Sequence, residues 1–231
     1  MTKKFVGLVT ARGGSKGLPR KNVLPINGIP LIGLTINAAK KCELISEIYV
    51  STDDAEIAEI SEQFGAKVIQ RPEHLANDIA SSIDVILHAI EWLTERQEPL
   101  EDMVLLQPTS PLRTCTHLSE ALLKYTELNA YLVISVFEPA HTPIKSYIQS
   151  DDGSLSGLYS NEAPYERRQD LPKAFQPNGA IYAFSVTEFK KINHFPRTNV
   201  FPYLMSEANS ADIDTIEDLK LVEKRLKELS K

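Results

Sequence analysis

Two short stretches carry residue types that could do chemistry together. The first is ARGGSKGLPRKN, Ala11 to Asn22, where Arg12, Lys16, Arg20 and Lys21 are set among three glycines. Glycine lets backbone N–H groups turn toward an anion and approach it closely. Cationic side chains then neutralise the anion, each charge-assisted bond contributing ~1.5–3 kcal/mol. The chain as a whole is acidic, with net charge −6 and pI about 5.5. A local cluster of cations in such a chain suits a nucleoside triphosphate, and a solvated basic loop is the lesser reading of the spacing alone. Neither GxxxxGK[ST] nor GxGxxG occurs in the stretch, which sets aside two familiar phosphate loops.

The second stretch is SADIDTIEDL, with Asp212 and Asp214 two apart. In an extended segment both carboxylates face one side, their Cβ atoms ~7 Å apart, and Ile213 turns the other way into the core. Two such carboxylates can hold Mg²⁺ at ~2.1 Å, with water and phosphate oxygens completing the shell. On their own they could also be acids favoured at a helix start, where Thr215 and Asp218 have the spacing of a capping box. Cations for phosphate together with paired acids for a metal describe a nucleotidyl or glycosyl transferase.

The elements that must position these residues alternate strand and helix. Phe5 to Thr10 is an apolar run suited to a buried parallel strand. A helix from Pro30 through Lys41 follows, then a strand at Glu47 to Thr52. The next helix is capped by Asp53 or Asp54 and stopped at Gly65, and Lys67 to Gln70 is a short strand. Ile83, Ile86, Leu87, Ile90 and Leu93 form one stripe of a helix over Ser82 to Gln97, with Ser81 and Asp84 as its capping box. Further strands are expected at Met103 to Gln107, Tyr131 to Phe137, Gly179 to Ser185 and Val200 to Met205. Helices are expected at His117 to Leu128, Thr187 to Ile192 and Thr215 to Leu229. The last has Leu219, Val222, Leu226 and Leu229 on one face and a Glu223–Lys227 pair.

Between Glu138 and Pro177 the rhythm breaks into a polar, proline-punctuated stretch with a hairpin-turn signal at Ser150 to Ser154. The whole reads as one α/β domain over 1–231, a doubly wound, mostly parallel sheet, with ligands expected outside the carboxyl ends of its strands.

Composition narrows the function classes. At 42% hydrophobic residues there is a core but no run long enough to span a membrane. The acidic balance argues against nucleic-acid binding. Cys42 and Cys115 show no CxxC spacing and read as reduced thiols of a cytoplasmic protein, and the five histidines have no zinc spacing.

Six pieces carry a specific resemblance: ARGGSKGLPRKN, STDD, RPEHLANDIASS, LLQPTSPLR, RRQDLPKAFQPNGAIY and DIDTIEDL. In this order, from Val6 to Leu219, the chain resembles the acylneuraminate cytidylyltransferases (CMP-N-acetylneuraminic acid synthetases). The resemblance implies a nucleotidyltransferase fold, like that of the glycosyltransferase-A group. The implied reaction joins CTP and a nine-carbon α-keto acid sugar into a CMP-sugar and pyrophosphate, with Mg²⁺, or Mn²⁺ in its place, as cofactor.

Carried over by position, the resemblance gives the triphosphate to Arg12, Gly13, Gly14, Ser15, Lys16 and Lys21. It gives the cytosine and ribose to Asn22, Arg71, Ala80 and Ser82. Asp212 and Asp214 would be the metal acids, acting with Lys21 in catalysis, and one of the two, Asp214 in preference to Asp212, would help deprotonate the attacking hydroxyl. Gln107, Lys145, Arg168, Tyr182 and Phe195 would bind the sugar. The stretch 138–177 would be a dimerisation element reaching toward the neighbouring subunit's site, making the protein a homodimer with a CTP and sugar-acid partnership only.

Two departures fall on the acceptor side. Gln176 stands where several relatives carry arginine, and INHFPRTNVFP, Ile192 to Pro202, matches poorly. Legionaminate therefore stays open beside N-acetylneuraminate. The opening loop differs from that of the KDO cytidylyltransferases. A glycosyltransferase using paired aspartates, and a nucleotide-binding regulator, are the readings from other classes.

Overall fold

The computed structural model describes residues 3–14, 17–77 and 79–229. The apolar run becomes β1 (Phe5–Thr10), an interior strand of a seven-stranded sheet. After the glycine loop come β2 (Pro25–Ile26) and β3 (Ile29–Pro30), a small hairpin turning on Asn27 and Gly28, both at positive φ. Asn-Gly between apolar residues is a strong signal for this turn, and the sequence reading passed over it. For that reason the first helix, α1 (Leu31–Lys40), starts one residue after the expected Pro30, which serves as its N-cap.

The chain then alternates through β4 (Ile45–Thr52), α2 (Ala55–Gln63), β5 (Lys67–Gln70), α3 (Ser82–Glu95), β6 (Asp102–Leu106), α4 (Cys115–Glu127) and β7 (Leu132–Phe137). Asp54 caps α2 through the Ile57 N–H, Gly65 follows that helix at φ +88°, and Ser81 with Asp84 forms the expected capping box of α3. The 138–177 stretch holds single 3₁₀ turns and a small hairpin, β8 (Tyr147–Gln149) and β9 (Leu155–Gly157), closed at the Ser150–Ser154 turn. Then follow β10 (Gln176–Ser185), α5 (Val186–Ile192), β11 (Val200–Leu204) and α6 (Ile216–Leu229).

The sheet order is β11-β7-β10-β6-β1-β4-β5. Every pairing in it is parallel except those of β10, which runs antiparallel between β6 and β7. Helices α1, α2 and α4 cover one face, burying Ile32, Ile36, Ile57, Leu118 and Leu122. Helices α3 and α5 cover the other with Ile86, Ile90, Leu93 and Phe189. A third, smaller cluster joins Ile26, Leu31, Leu112, Ile213, Leu219 and Val222 beneath α6. Leu226 packs against that cluster, whereas the Leu229 side chain lies outside the described residues.

From β1 the chain adds β4 and β5 on one side and then returns to place β6 on the other. That reversal opens a crevice at the carboxyl ends of β1 and β6, where ligands of doubly wound sheets bind. The loops after β1, β5 and β6 all end there. Elsewhere, the thiols of Cys42 and Cys115 flank the same Ser119 hydroxyl, at 3.4 and 4.0 Å, and both are free.

Candidate active site

A cavity of about 500 Å³ fills the crevice. The loop after β1 contributes Arg12, Gly17, Lys21 and Asn22; the loop after β5 contributes Arg71, Ala80 and Ser82; Gln107 and Thr109 follow β6; Asp212 and Asp214 close the rim. Two hundred positions of sequence separate the first and last of these groups, yet they touch. The Lys21 ammonium donates to the Ile213 carbonyl at 3.0 Å and to Asp214 Oδ1 at 2.9 Å.

The acids sit as an extended segment requires. Ile213 is fully buried, while Asp212 and Asp214 both open onto the cavity. The Ile213 N–H donates to the Thr109 carbonyl at 2.9 Å, tying the segment to the loop after β6. Thr215 and Asp218 complete the expected capping interactions: the Thr215 N–H and hydroxyl both donate to Asp218 Oδ2 at 2.8 Å. That cap holds the Asp218 carboxyl below its ordinary range. Asp212 is exposed and lines the cavity. Its desolvation pushes the carboxyl up, reinforced by the neighbouring Asp214 and opposed by a bond from Thr109 and the charge of Lys21. Two oxygen-bearing side chains on one rim match the hard-donor chemistry of Mg²⁺. Among the described residues no set of three metal-ligating side chains exists, so an ion here would share its shell with ligand oxygens and water.

The glycine loop is anchored from below. The Gly13 N–H donates to Asp53 Oδ1 at 3.2 Å. A Cβ on Gly13 would stand 2.6 Å from Asp54 Oδ2, and one on Gly17 would stand 2.6 Å from the Asp214 carbonyl, so both positions admit only glycine without rearrangement. A Cβ on Gly14 would meet open space. Ser15 and Lys16 lie outside the described residues. Arg20, one of the loop's cations, turns away from the cavity: it sits at φ 58° and grips Asp54 and Glu56 with its guanidinium. It staples the loop to α2 and leaves the anion to its neighbours.

Arg71 is buried, with Nη2 on the Ser51 carbonyl at 2.7 Å and Nε on the Ser51 hydroxyl at 3.2 Å; desolvation lowers its pKa. Asn22, also buried, donates to the Arg12 carbonyl at 3.1 Å. Arg12 reaches across to the Asn77 carbonyl at 3.1 Å. Asn77 in turn accepts from the N–H groups of Ile79 and Ala80, both at 2.9 Å, shaping the loop that presents Ala80. Gly17, Asn77 and Thr109 were not singled out from sequence. Asn77 and Thr109 each belonged to a quoted motif, but the Arg12 side chain and the Asp212–Ile213 segment that they bond lie far away in sequence.

Four expected sugar-binding residues are not on this cavity. Tyr182 stacks on Phe195 with ring centroids 5.3 Å apart, on the face covered by α3 and α5. Burial, reinforced by the charge of Asp212, pushes the Tyr182 hydroxyl up. Lys145 donates to the Glu166 carbonyl at 2.7 Å, and Arg168 to the Ala140 carbonyl at 2.9 Å with Glu138 beside it. Both thus stay within the 138–177 stretch. Gln107 alone of the group lines the cavity, its amide lying against Gly179, which sits at φ +75°.

Asn178 supports this corner from behind. Its Oδ1 accepts from the Ser135 hydroxyl at 2.6 Å, and its Nδ2 donates to the Ser210 hydroxyl at 2.9 Å, two residues before Asp212.

The sequence profile of the cytidylyltransferase family matches residues 6–228. The chain belongs to the cytidylyltransferase family. It is 34% identical to an N-acylneuraminate cytidylyltransferase of Escherichia coli over 96% of this chain and 52% of that protein. It is 29% identical to a pseudaminic acid cytidylyltransferase of Campylobacter jejuni, covering 94% of both. The chain therefore spans about half the length of the first of these curated relatives and nearly all of the second. A solved CMP:2-keto-3-deoxy-manno-octonic acid synthetase complexed with CTP superposes with a TM-score of 0.72, over 98% of this chain and all of that one, at 20% identity. The nucleotidyltransferase-type fold expected from the motifs is thus the one observed. No helix among the described residues is long and apolar enough to cross a membrane.

Proposed function

We propose that this cytidylyltransferase activates a nonulosonic acid: CTP and the sugar acid give the CMP-sugar and pyrophosphate. The observation that carries the reading is the contact of Lys21 with Asp214 and the Ile213 carbonyl, because it sets the glycine loop and the acid pair around one cavity. Arg12 and Lys21, with the backbone of Gly13 and Gly14, hold the triphosphate. Asn22, Arg71, Ala80 and Ser82 hold the cytosine and ribose. Asp212 and Asp214 would hold Mg²⁺, which when bound offsets charge on the triphosphate. The anomeric hydroxyl attacks the α-phosphorus in line, Asp214 takes up its proton, and pyrophosphate leaves. Most of the acceleration comes from positioning and fixed charge.

The acceptor is an N-acylneuraminate on the strength of the motifs. A bacterial relative such as legionaminate is the second reading, favoured by Gln176 and by the Ile192–Pro202 departure. We place Lys145 and Arg168 on the partner subunit's cavity in a homodimer, where the Arg168 guanidinium would grip the sugar carboxylate.

The test is pyrophosphate release from CTP with N-acetylneuraminate, N-glycolylneuraminate, diacetyllegionaminate, pseudaminate and KDO, each with and without Mg²⁺. Release with a nonulosonic acid supports the reading. Silence with all five acids, together with hydrolysis of a CMP-sugar, would favour a glycosyltransferase.

A further inference from the structure

Arg113 lies beneath the cleft and has been given no role so far. It is 3% exposed, and among the described residues no carboxylate pairs with it. Its guanidinium donates instead to neutral acceptors. Nη1 reaches the Gln107 carbonyl at 3.2 Å and the Ala180 carbonyl at 2.8 Å, and Nη2 reaches the Thr35 hydroxyl at 2.7 Å. Nε has no partner. Burial pulls the group down to about 9, so it remains a cation at neutral pH.

A buried charge without a counter-charge is costly, and an apolar side chain of similar volume would avoid the cost. The charge gives two things in return. The first is geometry. One carbonyl is that of Gln107, just past the end of β6, and the other that of Ala180, within β10 beside the Gly179 bend where that strand shifts register. The Gln107 amide lies so close over Gly179 that a Cβ there would overlap Oε1. One guanidinium therefore fixes both the backbone that bears Gln107 and the backbone over which its amide is laid. The second is field. An uncompensated positive charge in a low-dielectric layer projects toward the cleft that Gln107 lines.

We propose that Arg113 is a positioning residue for the acceptor half of the cleft, orienting Gln107 across Gly179 and biasing that half toward an anionic acceptor, the carboxylate of a sugar acid. This rests on the function proposed above, which puts a sugar acid there.

The experiment measures pyrophosphate release by the full chain and by Arg113→Met and Arg113→Lys, varying CTP and sugar acid separately. For Arg113→Met the KM for the acceptor should rise about tenfold or more, while the KM for CTP moves less than about threefold. Arg113→Lys keeps the charge but cannot span both carbonyls and Thr35, so its acceptor KM should fall between those of the other two. Equal rises in both KM values, or a lower Tm with an unmoved acceptor KM, would overturn the inference. Should Arg113→Met fail to fold, Arg113→Lys decides alone: acceptor and CTP KM values both unmoved would refute it. Wild-type protein inactive with every sugar acid would instead refute the functional reading, so the two failures are distinguishable.

Discussion

Around the nucleotide side of the cleft, side chains find partners from distant parts of the same chain. Lys21 meets the Asp214 segment, Arg71 rests on Ser51, and Arg12 spans to Asn77. In the 138–177 stretch Lys145 and Arg168 bond to the carbonyls of Glu166 and Ala140 in the same stretch, and Tyr147, Ile148, Leu155, Leu158, Tyr159 and Tyr165 stand in water, Tyr165 at 82% exposure. The first region is preorganised by its own fold. The second leaves several large apolar side chains uncovered, which the homodimer proposed above would cover.

The sharpest way to break this comparison is to disarm the self-contained side. Asp214→Ala should lower Mg²⁺-dependent pyrophosphate release by at least about a hundredfold, with circular dichroism and Tm close to wild type. Undiminished turnover would remove the metal assignment.

The second region is tested by complementation. Arg168→Ala should be nearly inactive alone. Mixed and reassociated with Asp214→Ala, it should regain about a quarter of wild-type activity, since half the dimers are mixed and each has one intact site. No recovery would mean that Arg168 does not serve a partner's cavity.

A smaller effect is expected at the bend under Gln107. Gly179→Ala forces a Cβ into positive φ and against the Gln107 amide, and should cost about 1–3 kcal/mol by denaturant unfolding.

The smallest effect separates a staple from a ligand contact. Arg20→Ala should leave CTP affinity nearly unchanged while weakening the fold. The Arg20 guanidinium holds the Asp54 carboxyl below its ordinary value. The stability this gives is present above the unfolded carboxylate pKa of about 3.9 and is lost as pH falls through the depressed value. Wild type should therefore lose Tm on acidification more steeply than Arg20→Ala, and parallel curves would contradict the staple.

Much of this was legible in the sequence because the signals are local. The α3 stripe, the Ser81–Asp84 cap, the Gly65 stop and the Asp-Ile-Asp alternation are each set by near neighbours. What escaped is long-range. Nothing within PNGAIYAFS says that β10 runs antiparallel between β6 and β7. Nothing beside Arg20 announces Asp54 and Glu56, which lie 34 and 36 positions away. Arg113 closes a motif as though it were one more exposed cation; only the assembled sheet shows it buried. The Asn27-Gly28 hairpin is different, since its signal was local and went unused.

The third apolar cluster has a consequence of its own. Ile213, between the two acids, is packed with Leu112, Leu219 and Val222, a small knot apart from the two large cores of the sheet. Cooperative units of few contacts open before the rest of a protein does. Mild warming should loosen this knot first, scattering the carboxylates while the strands stay paired, so that catalytic competence fades at a temperature where the sheet is still whole.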